Sequence, residues 1–283
     1  MIVPFVQPSA IDVGSHYDDL DSFYRELWGE HLHHGFWERG DEDPAQAVCA
    51  LVDRVAAAAR LAPGSAVCDV GCGYGATARR LTERFGARVV GFTVSRAQAA
   101  YAEGLASGQD SPRIFCRDWL ENGLPSESFD AVVAIESFAH FADKSRFLSE
   151  AFRVLRPGGR LVVCAWLSGD EPSPWQRRAL LEPICREGRL AGLPTSGECV
   201  AWAKGAGFVD VACEDWTRKV RRTWAICARR LVGAVAMQPR YRAFLLNGSS
   251  EHRVFAFTVL RILAAYAVGA MKYGFFEATR PER

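Results

Sequence analysis

The sequence predicts an α/β fold in which helices cover both faces of a mostly parallel sheet. Short apolar runs of strand length alternate along the chain with segments whose apolar residues recur at helical spacing. Turn residues punctuate this alternation, with glycines at 71, 73 and 75 and the tetrapeptide Arg-Pro-Gly-Gly at 156–159. Such a pattern is typical of strand–helix–strand units, whose crossover connections place helices on both faces of one sheet.

Seven strands are expected, of which the first five alternate regularly with helices. The strand-like runs are AVCDVG (66–71), RVVGFTV (88–94), RIFC (113–116), DAVVAIES (130–137), LVVCAWL (161–167), FVDVACEDW (208–216) and YGFFEAT (273–279). Val48, Leu51, Val52 and Val55 follow the i, i+3, i+4, i+7 pattern of an amphipathic helix that Pro44 could open. The further helices are expected at about 76–85, from Arg96, up to about Leu155, at 197–206 and, with breaks, across 217–272.

Composition excludes several classes of protein. Among 283 residues, 34 Lys and Arg balance 33 Asp and Glu, and the formal charge of +1 lacks the basic footprint of a nucleic-acid-binding protein. The nine cysteines form no C-x-x-C pair, which suits free buried thiols in a reducing compartment. The first residues, MIVPFVQPSAIDVG, contain no basic n-region of a secretory signal. We therefore expect a cytoplasmic protein.

One apolar stretch resembles a membrane span in composition but not in length. Val254 to Ala270 comprises 17 residues with Arg261 near its centre. Crossing a bilayer takes about 20 apolar residues, and a central arginine costs about 2.5–3.5 kcal/mol on insertion scales. A buried or lid-forming helix is the better interpretation, and no integral membrane association is expected.

The loop after the first strand carries the most informative motif. Asp69 lies two positions before Gly71, and the glycines follow the spacing G-x-G-x-G at 71–75. Glycine permits positive φ and lets a ligand approach the backbone at the carboxyl end of a strand, although such turns also use glycine for packing alone. A carboxylate at this position favours a ligand with a positive amino group and would repel the pyrophosphate of a dinucleotide.

This motif, D-V-G-C-G-Y-G at 69–75, resembles motif I of the class I S-adenosylmethionine-dependent methyltransferases. The segment L-R-P-G-G-R-L at 155–161 resembles the turn before the fifth strand of that class. Three further segments are similar to the branch that contains the tocopherol methyltransferases: YRELWGEHLHHGFW at 24–37, GFTVSRAQ at 91–98, and the tail from 265 to 281. The segment at 91–98 also resembles the cyclopropane-fatty-acid synthases.

The resemblance implies a Rossmann-like, seven-stranded, mostly parallel sheet with an N-terminal lid and a helical cap. The chain would then be a single methyltransferase domain with four parts. These parts are the lid (1–43), the cofactor-binding core (44–167), a partly helical cap with a sixth strand near 208–216 (168–272), and the final strand and tail (273–283). The implied cofactor is S-adenosyl-L-methionine.

The resemblance also assigns the cofactor-binding residues. Asp69 and the backbone of Gly71 and Gly73 would lie against the methionine part, and the backbone of Glu136 and Ser137 would flank the sulfonium. The remaining expected contacts are Thr93 and Gln98 on the ribose hydroxyls, Asp118 and Trp119 on the adenine, and Tyr17 and His33 from the lid. From the residues alone, Thr93 and Gln98 could instead belong to a helix N-terminus, and the Asp118–Trp119 pair could serve edge packing.

A general base is the second expectation, because a carbon or hydroxyl acceptor must lose a proton when it is methylated. His140 is the leading candidate, and a purely structural histidine is the open alternative. Related enzymes often have Glu or His just before this histidine, whereas this chain has Ala139, so a base from the lid (Tyr17, His31 or His33) also stays open. The missing glutamate argues against the bicarbonate-assisted chemistry of the cyclopropane synthases.

The histidines at 31, 33 and 34 could suggest zinc, but no fourth ligand lies nearby in sequence, so no metal is expected.

The acceptor is expected to be a hydrophobic small molecule, aromatic or isoprenoid, used in specialised metabolism. The regions that would cap the sheet are rich in aromatic residues, namely Trp166, Trp175, Trp202, Trp216, Trp224, Phe244, Phe255 and Phe257. Aromatic walls suit such acceptors, although a helical cap also needs them for packing.

Two alternatives stay open. One is a non-catalytic protein that binds S-adenosylmethionine. The other is a phosphate-bearing prenyl acceptor held by the basic run at 218–230, which could equally be a solvated helix face. A homo-oligomer is also open.

Overall fold

A computed structural model of the chain describes residues 1–108, 110–246 and 255–282. Its centre is a seven-stranded sheet of order β3-β2-β1-β4-β5-β7-β6. The strands are β1 (Ala66–Val70), β2 (Arg88–Thr93), β3 (Arg113–Cys116), β4 (Phe129–Ile135), β5 (Leu155–Ser168), β6 (Val209–Asp215) and β7 (Met271–Thr279).

The first five strands are parallel to one another, and β7 runs antiparallel between β5 and β6. The sequence-based expectation of a seven-stranded, mostly parallel sheet is thus confirmed. The last strand begins at Met271, two residues before the predicted start at Tyr273. The reason is that Met271 and Lys272 still pair with Ser168 and Leu167 at the end of the long strand β5.

Helices cover both faces of this sheet and continue into the N-terminal and C-terminal parts. They are α1 (Ala10–Asp19), α2 (Asp21–Leu27), α3 (Pro44–Ala58), α4 (Ala76–Phe85), α5 (Arg96–Gly104), α6 (Lys144–Val154), α7 (Pro174–Gln176), α8 (Glu182–Glu187), α9 (Ser196–Gly205), α10 (Thr217–Val220), α11 (Arg222–Met237), α12 (Pro239–Leu246) and α13 (Phe255–Ala267). A π-helical turn at Arg177–Leu181 joins α7 to α8. As expected, Pro44 opens α3, where Asp43 caps the helix.

Alternating side chains of the central strands build two apolar layers. Val67 of β1 and Val133 of β4 face the layer formed with α3, α4 and α8, whereas Cys68 and Val132 face the layer formed with α6 and α9. This period of two is what a strand buried on both faces produces. Polar residues lie at the carboxyl ends of these strands, and the candidate site lies at that edge of the sheet.

The N-terminal helix α1 packs directly on the loop that follows β2. A Cβ on Gly14 would lie 2.4 Å from the carbonyl oxygen of Val94, so only glycine permits this approach. Asp18 accepts hydrogen bonds from the Ser95 hydroxyl (2.5 Å) and from the main-chain N–H of Ala97 (3.0 Å) at the start of α5. These contacts hold the N-terminal segment over the carboxyl ends of the strands.

The apolar stretch noted in the sequence forms α13, for which the structure describes residues from Phe255 onward. Thr258, Val259 and Ile262 are buried on its inner side. Within the described parts of the chain, no helix has the length and apolar character that crossing a membrane requires.

Candidate active site

A cavity opens at the carboxyl ends of β1, β2 and β4. Ligands of open α/β sheets bind at this edge, at the point where the strand order reverses, here between β1 and β4. Most of the predicted site residues line the cavity: Tyr17, His33, Asp69, Gly71, Gly73, Thr93, Gln98, Trp119, Glu136 and His140. Asp118 is the predicted residue that does not line it.

The glycine loop is held against the ends of the two neighbouring strands. Gly71 and Gly73 adopt φ of 77° and 55°. A Cβ on Gly71 would lie 2.2 Å from the Cβ of Ser137, whose hydroxyl donates to the carbonyl of Val70. The main-chain N–H of Gly71 donates to the carbonyl of Phe92 at 2.8 Å. Glycine at 71 is therefore required for β1 and β4 to meet closely at the cavity wall.

Asp69 places a buried carboxylate on the cavity wall with one oxygen unsatisfied. The residue is 1% exposed, and none of the described residues hydrogen-bonds its Oδ2. Burial raises the pKa of Asp69 to about 7. An orphaned buried carboxylate is costly on its own, so this atom calls for a positively charged or hydrogen-bond-donating ligand.

Thr93 and Gln98 form a polar pair on the same wall, where β2 meets α5. The Thr93 hydroxyl donates to Gln98 Oε1 at 2.7 Å, and it accepts from the main-chain N–H of Ser95 at 3.2 Å. Both side chains are buried. Buried hydroxyl and amide groups at a strand end are suited to bind vicinal hydroxyls of a sugar.

Asp118 and Trp119 lie beyond β3 and have different surroundings. Asp118 caps a short 3₁₀ turn, since its Oδ1 accepts from the main-chain N–H of Leu120 at 2.9 Å, and the residue does not line the cavity. Trp119 is almost fully buried and packs edge-on against Phe92. Arg117, which sequence reasoning did not single out, lines the cavity instead.

Glu136 is the most heavily hydrogen-bonded side chain of the site. Its Oε1 accepts from the His34 main chain (2.7 Å), the His34 Nδ1 (2.8 Å) and the Tyr273 hydroxyl (2.8 Å). Its Oε2 accepts from the Trp166 indole at 2.8 Å. The backbone of Glu136 is left-handed, with φ of 63°, a conformation that costs a non-glycine residue about 1–3 kcal/mol. The four donors indicate why this cost is tolerated.

Hydrogen bonds also determine which nitrogen of His34 carries the proton and whether Glu136 is charged. An indole N–H can only donate, and that of Trp224 lies 2.7 Å from His34 Nε2, so the proton of His34 is on Nδ1 and points at Glu136. Burial alone would raise the pKa of Glu136, but His34, through its ring and main-chain N–H, outweighs burial and lowers the pKa to about 2. Glu136 is thus a buried anion that ties the N-terminal segment to β5 and β7, and His34 extends the connection to α11 through Trp224.

The histidines at 31 and 33 form a hydrogen-bonded chain. His33 Nδ1 donates to the carbonyl of His34 at 2.9 Å, so its Nε2 accepts from His31 Nδ1 at 3.1 Å. Burial lowers the pKa of His31 to about 3 and also lowers the pKa of His33. Among the described residues no group of three His, Cys, Asp or Glu side chains is arranged to hold a metal ion.

Tyr17 and His140 meet across the cavity wall, one from α1 and the other from the turn after β4. The carbonyl of Arg189 can only accept, and it lies 2.9 Å from His140 Nδ1, so the proton of the ring is on Nδ1. The unprotonated Nε2 then accepts from the Tyr17 hydroxyl at 3.1 Å. Burial lowers the pKa of His140 to about 4. The ring is therefore neutral, and its Nε2 lone pair accepts the Tyr17 hydroxyl at the cavity wall.

A buried lysine fixes the turn that carries His140. Lys144 donates to the carbonyls of Ala139 (3.3 Å) and Phe141, the two residues that flank the histidine. Burial lowers the pKa of Lys144 to about 8. Ala139 itself is buried, and its carbonyl also accepts from the N–H of Ala191 at 2.9 Å. This position offers no carboxyl group to the cavity.

The rest of the cavity wall is apolar and comes mostly from the N-terminal segment and the cap. It includes Trp28, Trp166, Ile184, Leu190, Trp224 and Ile262. Of the aromatic residues expected there, only Trp166 and Trp224 among the described side chains line the cavity. Trp175 and Phe257 are exposed, Trp216 stacks on Phe275, Trp202 packs under the opposite face of the sheet, and Phe244 lines a separate apolar pocket. The side chain of Phe255 lies outside the described set.

The basic run at 218–230 lies outside the cavity. Arg218, Lys219, Arg221 and Arg222 line a shallow cleft on the outer surface, together with Trp37 and residues of α13. These side chains do not reach the space between Asp69 and His140.

Sequence reasoning missed the central role of His34 and its partners. The Glu136 cluster joins residues up to 232 positions apart in the chain, as in the His34–Tyr266 bond. A local motif does not report such contacts. The available signal was the Glu136-Ser137 step at the end of a buried strand, because an acidic residue there needs donors from elsewhere.

Comparison with known proteins identifies the family. Residues 6–234 match the family model described as "Mycolic acid cyclopropane synthetase". The tocopherol O-methyltransferase of Arabidopsis thaliana is 27% identical over 95% of this chain and 82% of its own. The 27-O-demethylrifamycin SV methyltransferase of Amycolatopsis mediterranei is 32% identical over 80% of this chain and 84% of its own.

A solved structure agrees with the fold. The mycolic acid cyclopropane synthase CmaA1, complexed with SAH and CTAB, superimposes with a TM-score of 0.83 at 24% identity, covering 97% of this chain and 99% of the other. The resemblance that the sequence motifs suggested is thereby confirmed. The chain belongs to the mycolic acid cyclopropane synthetase family and is an S-adenosyl-L-methionine-dependent small-molecule methyltransferase of the Rossmann-like class.

Proposed function

We propose that this enzyme methylates a hydrophobic aromatic or isoprenoid small molecule in specialised metabolism and that His140 removes the acceptor proton. The observation that carries the proposal is the neutral His140 ring, whose unprotonated Nε2 faces the Tyr17 hydroxyl at the wall of an otherwise largely apolar cavity. The relatives named above act on a tocopherol and on a rifamycin, both by the wording of their names.

The cofactor would occupy the part of the cavity next to β1 and β2. Asp69 Oδ2 would bind its amino group, Thr93 and Gln98 its ribose hydroxyls, and Trp119 would lie along the adenine. Asp118 would accept the adenine amino group through its Oδ2, since its Oδ1 caps the turn at Leu120. When bound, S-adenosylmethionine supplies an activated methyl group on a sulfonium. Tyr17 and His33 close this region from the N-terminal segment.

The acceptor would lie between His140 and the apolar wall of Trp28, Trp166 and Ile262. Closing this space excludes water and orients the acceptor, which is where much of the acceleration of a displacement reaction arises. His140 Nε2 would take the proton of the acceptor once the Tyr17 hydroxyl gives way or passes it on. Arg189, through its carbonyl, keeps the ring in the tautomer that leaves Nε2 unprotonated.

The anionic Glu136 would stabilise positive charge on the cofactor side of the cavity. Its carboxylate is ionised but already accepts four hydrogen bonds, so it is poorly placed to act as the base. His31 and His33 are hydrogen-bonded to each other, and His33 is also bonded to the carbonyl of His34. His140 is hydrogen-bonded on both ring nitrogens as well, but the partner of its Nε2 is the Tyr17 hydroxyl at the cavity wall, which an acceptor hydroxyl could replace. This position favours His140 over His31 and His33 as the base. Because the basic run lies outside the cavity, it gives no support to a phosphate-bearing prenyl acceptor.

The test is methyl transfer from isotopically labelled S-adenosylmethionine to a panel of acceptors. The panel pairs hydrophobic phenols, hydroquinones and isoprenoids with prenyl diphosphates and with polar amines of similar size. The proposal expects label only in the hydrophobic members, with the site of methylation read by mass spectrometry. Exclusive labelling of the diphosphates or of the polar amines would contradict it.

A further inference from the structure

Two outward-facing features of the chain have no role in the proposed active site, and the fold brings them together on one outer surface. They are the outer side of the apolar helix α13 and the basic run of α10 and α11. A shallow cleft is lined from one side by Arg221, Arg222 and Ala225 and from the other by Leu263 and Ala267 of α13. The two features are therefore neighbours on one face of the cap.

The outward side of α13 is apolar and exposed. Phe257, Leu260, Ala264 and Ala267 are spaced three or four residues apart, which places them on one side of a helix. Phe257 and Leu260 are 57% and 61% exposed. The charged residue of this helix, Arg261, turns aside to pair with Glu187. Apolar side chains that are exposed side by side in this way mark an interaction surface, whereas single exposed apolar side chains are common on any protein.

The neighbouring arginines are exposed and unneutralised. Across residues 1–108, 110–246 and 255–282, no carboxylate pairs with Arg218, Arg221, Arg222 or Arg229. Arg222 lies over the indole ring of Trp37, 4.8 Å from its centre, which holds the guanidinium at the surface. Glu38 lines the same cleft, where it pairs with Arg54 and Lys219 rather than with these arginines. The whole chain has a net charge of only +1, so the four arginines are a local excess of positive charge.

We propose that this surface docks on an anionic lipid bilayer. The docking face consists of Phe257, Leu260, Ala264 and Ala267 together with Arg218, Arg221, Arg222 and Arg229. Apolar side chains beside unpaired arginines match the two layers that a bilayer surface presents, acyl chains below and anionic headgroups above. With 13 residues, α13 is suited to lie in the interface rather than to span it.

The position of the docking face relative to the cavity supports this choice of partner. Thr258 and Ile262, on the inner side of α13, line the active-site cavity. One helix thus separates the docking face from the space where an acceptor would bind. A hydrophobic molecule dissolved in a bilayer would be presented next to this wall. The docking itself does not depend on the identity of the acceptor or on methyl transfer.

The test is co-sedimentation of the full chain with vesicles of phosphatidylcholine containing one third phosphatidylglycerol, compared with vesicles of phosphatidylcholine alone. We expect binding to the anionic vesicles that falls on the order of tenfold or more in the Arg221→Gln/Arg222→Gln variant. A similar loss is expected for Phe257→Ser/Leu260→Ser. The control Arg88→Gln/Arg113→Gln removes the same charge from β2 and β3, at the far edge of the sheet, and should bind like the wild type.

Three outcomes would overturn the proposal. The first is a wild-type chain that does not sediment with anionic vesicles. The second is an equal loss in the control variant, which would make binding a matter of net charge alone. The third is self-association of the chain without lipid, measured by sedimentation velocity. If Phe257→Ser/Leu260→Ser abolishes this self-association while vesicle binding persists, the docking face joins two copies of the chain. Circular dichroism of each variant verifies that it is folded.

Discussion

His34 donates two hydrogen bonds to the same carboxylate oxygen of Glu136, one from its main chain at 2.7 Å and one from its ring at 2.8 Å. Through this pair the N-terminal segment is attached to the end of β4, next to the cavity. The ring of His34 continues the connection to the indole of Trp224 in the cap. Lid, sheet and cap therefore meet at one buried anion.

Replacing this anion should destabilise the whole molecule. The carboxylate of Glu136 accepts hydrogen bonds from four donors. In Glu136→Gln the amide NH₂ must face at least one of these donors. Two buried donors then oppose each other where the wild type has a charged hydrogen bond. We expect a loss of about 3 kcal/mol in the free energy of unfolding, measured by urea denaturation. Glu127→Gln, which removes a half-exposed ion pair with Arg280, is the control and should cost under about 1 kcal/mol. Equal losses in both variants would refute the central role of Glu136.

Cofactor affinity should depend on pH through Asp69. In the free protein burial raises the pKa of this carboxyl to about 7, so a proton must leave before the carboxylate can bind a positive amino group. The affinity for S-adenosylhomocysteine should therefore rise as pH increases from about 5 to 7, by up to about tenfold per pH unit, and then level off. Calorimetry in two buffers of different ionisation enthalpy would detect the released proton. A pH-independent affinity would contradict this role of Asp69.

Asp69 should lower the stability of the ligand-free protein although it is needed for cofactor binding. A carboxyl whose folded pKa exceeds its unfolded value of 3.8 destabilises the fold as pH rises between these values, and the penalty is complete above about pH 7. Asp69→Asn should therefore raise the unfolding free energy of the ligand-free protein at pH 8 by about 2 kcal/mol, because it removes the charge but leaves a buried amide. At pH 4 the gain should largely disappear, and cofactor binding should be lost at both pH values. A variant that binds the cofactor normally would show that Asp69 is not its ligand.

Local motifs predicted the position of the residues proposed to bind the cofactor better than that of the residues proposed to bind the acceptor. The glycines at 71 and 73, Asp69, and the Thr93–Gln98 pair lie within one strand–turn–helix step each, and such steps are determined by nearby residues. Asp118 is an exception, because it caps a 3₁₀ turn and does not line the cavity. The acceptor wall depends on how the N-terminal segment and the cap fold back over the sheet.

The aromatic residues show why that half was harder to predict. Trp166, Trp216 and Trp224 look equivalent in sequence, yet Trp216 stacks on Phe275 in the core while Trp166 and Trp224 line the cavity and bond to Glu136 and His34. Long-range pairing decides between these outcomes, and hydrophobic periodicity carries no information about it. The same applies to α13, whose sequence is apolar on both sides although only one side is buried.

Proton removal by His140 is the central claim about chemistry, and single-turnover methyl transfer to an acceptor found in the panel tests it most directly. His140→Gln should lower the rate constant by about 10²- to 10⁴-fold while leaving the affinity for S-adenosylhomocysteine within a few-fold of the wild type. Tyr17→Phe should have a smaller effect on the rate, and His31→Gln serves as the control from the lid. If His140→Gln retains the wild-type rate, or if His31→Gln loses it instead, the assignment of His140 as the base is wrong.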